Sequence, residues 1–132
     1  MRVLPLATLI ITACDPFVVS QIELTPSAST SPASMHSRAV AIVDSLARQH
    51  GLKTQQWPYS CTIGRSEGTR AGSWENGPLW LTVCVERSHP DRLQVFMKEP
   101  GFTWNAKGDS LRLELRRTLQ QQFGPDMVAV ER

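Results

Sequence analysis

Between Leu79 and Glu86 apolar and polar residues alternate: Leu79, Leu81, Val83 and Val85 fall on one side, Trp80, Thr82, Cys84 and Glu86 on the other. Side chains on a strand point to opposite faces in turn, so this segment predicts a strand with its Leu/Val side in a core. Leu93, Val95 and Met97 repeat the pattern after Ser88-His89-Pro90-Asp91. The Pro and Asp suit a tight connection, and the two strands should form a hairpin. Shorter strands are expected over Tyr59 to Ile63, between Pro58 and Gly64, and over Met127 to Val130.

Two segments carry the helical period instead. Ala39, Val40, Ile42, Val43, Leu46 and Ala47 recur at three- and four-residue steps after Ser37, a suitable cap, and Gly51 with Leu52 marks a left-handed stop. Leu111, Leu115, Leu119 and Phe123 line one face of a second helix, capped by Asp109 or Ser110 and ended by Gly124-Pro125. The order α-β-β-β-α-β predicts an α+β two-layer sandwich, both helices on one face of a small mixed, mainly antiparallel sheet. A meander of the first three strands would send loops 65–78 and 99–108 out at one end. The last strand, reached through a helical crossover, would run parallel to the first and third. Both helix N-termini, Trp74 and Trp104 then share an end with the incoming chain, while Trp57 and His89 take the other.

The N-terminal segment has a different pattern. Arg2 supplies one positive charge, Val3 to Ile11 is apolar apart from Pro5 and Thr8, and the small residues Thr12-Ala13 precede Cys14. That is the three-part layout of a secretory signal over residues 1–13. Its tail, Leu9-Ile10-Ile11-Thr12-Ala13-Cys14, resembles the lipobox of bacterial lipoproteins. The resemblance covers the leader alone. It implies cleavage before Cys14, a thioether from that Cys to diacylglycerol, and attachment to the bacterial cell membrane, facing the periplasm or the cell exterior. Asp15 directly after the Cys resembles the inner-membrane retention signal of enterobacterial lipoproteins. Residues 14–34 read as the lipidated Cys and a flexible tether, because Thr25 to Ser34 holds only Thr, Pro, Ser and Ala, which bury little apolar surface. Residues 35–132 read as a single globular domain of roughly 100 residues.

Composition narrows the function. Fourteen Lys/Arg stand against twelve Asp/Glu, interspersed rather than blocked, so nothing favours a nucleic-acid partner. With Cys14 lipidated, Cys61 and Cys84 are an even pair in a compartment that permits disulfides; the rival reading is two separate buried thiols. His36, His50 and His89 have no metal-ligand spacing, and Ser88, His89 and Asp91 sit in a turn, so no metal, cofactor or catalytic group is expected. Arg112, Arg116 and Arg117 form a basic helix face that is either solvated or drawn to anionic headgroups.

The tryptophans are the least ordinary feature. Trp80 lies on the strand face turned away from the helices, and Trp74 and Trp104 lie in glycine-containing loops, where they either plug the core or meet a partner. The expected function is a non-enzymatic binding or accessory module tethered to the membrane, contacting an envelope protein or a cell-wall component. The alternative is a small envelope inhibitor or immunity-type lipoprotein.

Overall fold

The alternation at 79–86 and 93–97 becomes the centre of the sheet. In a computed structural model, which describes residues 16–56, 60–63 and 66–131, the elements are β1 (Phe17–Leu24), α1 (Pro32–Gln49), β2 (Lys53–Thr54), β3 (Ser60–Ile63), β4 (Ser66–Asn76), β5 (Leu79–Glu86), β6 (Leu93–Pro100), α2 (Ala106–Phe123) and β7 (Val128–Glu131). β5 and β6 form the expected hairpin, with Leu81 opposite Met97 and Val83 opposite Val95. These four side chains are buried against Met35, Ala39 and Val43 of α1 and Leu111, Leu115 and Leu119 of α2. Both helices thus cover the Leu/Val face, giving the two-layer α+β sandwich.

The helices stop where expected and start earlier. Gly51 has φ +78°, its N–H donates to Arg48 O, and the N–H of buried Leu52 donates to Ala47 O, which is the Schellman arrangement. The N-cap of α1 is Ser31, whose Oγ accepts from Ser34 N–H with Pro32 in the first turn; Ser37 lies inside the helix. The cap of α2 is Asn105, whose Oδ1 accepts from Gly108 N–H at 2.8 Å, one turn ahead of Asp109 and Ser110.

The expected tether at 14–34 is corrected by β1. Phe17–Leu24 lies between β6 and β7, in register from Phe17 opposite Pro100 to Leu24 opposite Leu93, and Ile22 and Leu24 are buried. Only 25–31 connects it to α1. The strand is hard to read because its outward positions Phe17 and Val19 are as apolar as its inward ones, while inward Ser20 is polar, so the period of two is blurred.

The expected loop at 65–78 is mostly β4, an eleven-residue strand. Its main chain pairs with β5 on one edge and with β2 and β3 on the other, so it needs few apolar side chains; a register shift falls between Arg70 and Gly72. The sheet order is β2-β4-β5-β6-β1-β7, with β3 also on β4, and every pairing is antiparallel. β7 therefore runs in the same direction as β6 but pairs antiparallel with β1.

One consequence is a corrected end assignment. Because β1 precedes α1, that helix starts at the far end, where His36 Nε2 lies 3.2 Å from Asp91 O in the β5–β6 turn. The near end holds Phe17, the β4–β5 turn, the C-terminus of α1, the loop after Pro100 and the N-terminus of α2.

Candidate binding face

The helices α1 and α2 lie on one side, and among the described residues no helix covers the other face of the sheet. Its rows run across strands: Trp80 lies opposite Lys98 and Lys98 opposite Val19, while Thr82 lies opposite Phe96 and Phe96 opposite Gln21. Trp80 is 43% exposed and Val19 51%, large values for apolar side chains, and the two flank Lys98 in one row of the sheet. Lys98 sits among rings, its Nζ 4.1 Å from the Phe17 ring centroid and 5.5 Å from that of Trp80. An ammonium over aromatic faces is held by their quadrupoles while its own donors remain available. These side chains surround a depression of about 240 Å³, closed on one side by Cys61, Thr62 and Arg70. That is below the ~300–1,000 Å³ usual for small-molecule pockets, so it suits a protruding side chain or sugar edge more than a cofactor.

Away from the rings the face becomes polar. Gln21 Nε2 donates to Gln94 Oε1 at 2.9 Å, Gln94 Nε2 donates to Glu23 Oε2 at 2.8 Å, and Arg92 Nη1 lies 3.6 Å from Glu23 Oε1. This mutual satisfaction lets Gln94 be buried without an orphaned amide.

Cys61 and Cys84 stand at disulfide distance, their Cα atoms 6.3 Å apart, and are joined. β3 and β5 are separated by β4, and two strand spacings in a flat sheet amount to about 9.6 Å, so the sheet must fold inward here. The means is Gly68: a Cβ there would lie 2.5 Å from Val85 O and 2.8 Å from Cys84 Sγ. The bridge passes over a strand that has no side chain at that point. It also fixes β3 as one wall of the depression.

The expected surface of Trp74 and Trp104 does not form. Trp74 is 3% exposed, and its Nε1 donates to Asp44 Oδ1 at 2.8 Å. That bond holds the Asp44 carboxyl below its ordinary value, with help from Arg48 and against the effect of burial. The indole lies back along β4 over Gly72, where a Cβ would meet Trp74 Cη2 at 2.4 Å. Trp74 thus belongs to the core. Trp104 is half-buried against that core, with the Arg112 guanidinium 5.9 Å from its ring. Trp80 alone of the three named tryptophans faces outward. Phe17 and Val19 join this face only once β1 is read as a strand, and Phe96 and Lys98 lie on the outward side of the strand marked by Leu93, Val95 and Met97.

Cys14 and Trp57 lie outside the described residues. The histidines are dispersed: His50 Nε2 is 2.6 Å from Glu114 Oε2, His36 meets Asp91 O, and the His89 main chain serves the β5–β6 turn. Among the described residues no three His, Cys, Asp or Glu side chains could hold a metal ion, and no helix is long and apolar enough to cross a membrane. Arg112 is ion-paired with Asp109. Arg116 and Arg117 flank a groove lined by α2 residues alone, a gap between long side chains of one helix. No protein-family model, characterised protein or solved structure matches this chain.

Proposed function

We propose that this protein is a membrane-anchored lipoprotein of the bacterial cell envelope, and that its domain is a binding or accessory module acting through the helix-free face of its sheet. The leader and the Leu9-to-Cys14 step support the anchor. A cysteine pair at disulfide distance fits an oxidising compartment outside the cytoplasm. The observation that carries the binding role is the cluster of Trp80, Val19 and Phe96 around Lys98 on a face that no helix covers among the described residues. Exposed apolar surface rimmed by polar groups marks sites of association, and an aromatic anchor beside a cation is a common centre for one. The ligand is an envelope protein or a cell-wall component. The depression offers two rings, the Lys98 ammonium, the Arg70 guanidinium and the Thr62 and Thr82 hydroxyls, a set that supports recognition of a polar ligand with an apolar edge.

Mass spectrometry of the membrane fraction tests the anchor: the mature chain should begin at a diacylglyceryl-modified Cys14. An intact Met1 or an unmodified Cys14 rejects it. A photo-crosslinking residue placed in living cells at Trp80 or Phe96 should give a discrete adduct, whereas one at Leu113 on the outer side of α2 should not. Equal labelling from all three, or none from the sheet face, rejects the binding face. Turnover of a substrate lost with Lys98→Ala would make the face an active site instead.

A further inference from the structure

β1 begins three residues after Cys14, and its first residues are held by the fold. Pro16 O accepts from Gly101 N–H at 2.7 Å, and Phe17 lies opposite Pro100. Gly101 adopts φ +121°, which lets the chain turn there and carry Phe102 outward, 87% exposed. Phe17, on the strand next to that loop, is 45% exposed. Two phenylalanines thus project at the end of the domain where the chain arrives from Cys14.

We infer that this end rests on the lipid bilayer, with the Phe102 loop inserted at the interface and the sheet standing away from the membrane. The inference rests on the anchor reading above. Three extended residues reach about 10 Å from Cys14 to Phe17. The headgroup layer on each side of the hydrocarbon is about 5–8 Å thick. That reach exceeds the headgroup layer by only about 2–5 Å, so a diacylglyceryl group on Cys14 would hold the Phe17 end at the outer edge of the headgroups, with the exposed Phe102 loop beside it. The aromatic side chains at that end match the environment, since amphipathic and aromatic side chains favour the membrane interface. The charge is compatible as well: Lys53, Lys98 and Lys107 lie at this end against a partly buried Glu75, Asp109 and Asp44 are paired with Arg112 and Arg48, and Glu99 is buried. The β5–β6 turn with His89 is on the opposite end, about 23 Å along β1. The open face of Trp80 and Phe96 would then rise from the bilayer surface, and its partner would approach along the membrane.

The test uses the full chain, lipidated in cells and reconstituted into vesicles of phosphatidylcholine and phosphatidylglycerol, with bromines on the upper part of the phosphatidylcholine acyl chains. An environment-sensitive fluorescent amino acid replaces Phe102 or, separately, His89. Both positions are exposed, so the replacements leave the core intact. The expected result, with Cys14 modified by mass, is loss of most emission at 102 and none at 89. A modified Cys14 with no quenching at 102, or equal quenching at both positions, overturns the orientation and leaves the anchor standing. An unmodified Cys14 overturns the anchor, and the orientation with it.

Discussion

Substituting Trp74 and Gly72 together tests whether the indole is part of the core. Trp74→Ala removes a buried aromatic, a change that costs about 3–5 kcal/mol in a well-packed interior. Against a total of ~5–15 kcal/mol for a domain, that brings the fold close to its limit, so Trp74→Phe is the better probe. It should cost about 1–2 kcal/mol, from lost packing and from the hydrogen bond to Asp44, whose carboxylate is 37% exposed and can turn to water. Gly72→Ala places a Cβ where Trp74 Cη2 now lies, 2.4 Å away, and the ring has little room to retreat in a buried site. Overpacking of this kind costs about 1–3 kcal/mol. Phe lacks the distal indole carbons that make the clash, so Gly72→Ala in the Trp74→Phe background should cost well under half as much. Urea denaturation followed by circular dichroism on the four proteins yields the coupling, expected at about 1–2 kcal/mol. If Gly72→Ala costs the same in both backgrounds, the ring does not lie over Gly72. If Trp74→Phe is neutral, the residue belongs to a surface after all.

Three other results are expected. Replacing Cys61 and Cys84 by Ala releases a cross-link spanning 23 residues and should lower stability by about 3 kcal/mol, read as a difference in melting temperature that reductant abolishes; identical melting of the two proteins would show the pair is not bridged. Asp44 titrates below 3.8 in the folded protein, chiefly because Trp74 donates to it, so its contribution is present above that pH and lost as pH falls through the lower folded value. The stability gap between wild type and Asp44→Asn should therefore shrink below about pH 4 in acid titrations of unfolding, and a gap that widens would reverse the assignment. Asn105→Ala should cost about 1 kcal/mol by removing the cap of α2, whereas Ser110→Ala should fall within about 0.5 kcal/mol; the opposite ranking in thermal melts would restore the later helix start.

How far the fold can be read from the chain depends on how much of each element's stability is written in its own side chains. β5 and β6 sit at the centre with one face in the core, so their alternation is plain. The stripes of both helices are equally plain, and Gly51 and Gly124 mark their ends because positive φ restricts the choice of residue. β4 is different. Ser66–Asn76 is held by main-chain hydrogen bonds on two edges, and its register shift between Arg70 and Gly72 breaks any period of two. Capping positions fail for another reason: Ser31, Ser37, Asn105, Asp109 and Ser110 are all competent, and tertiary packing selects among them.

The site shows how one misread strand propagates. With Phe17–Leu24 taken as part of a tether, the domain would hang on some twenty flexible residues, and the outward side chains of that segment would have no face to belong to. As β1, the same residues set Val19 opposite Lys98, which in turn lies opposite Trp80, so the exposed apolar patch joins the β5–β6 hairpin to a strand far from it in sequence. None of those strands carries it alone. Trp80 was legible as outward because its own strand alternates, but its neighbours depended on pairings that only the folded sheet reveals. The same strand shortens the slack after Cys14 from about twenty residues to two, Asp15 and Pro16. A loose tether would give the face an unrestricted search around a lipid anchor, whereas two residues would limit its height above one. For a lipidated chain, the position of β1 then decides which partners can reach Trp80: those within a domain's height of the bilayer, and not those deeper in the envelope.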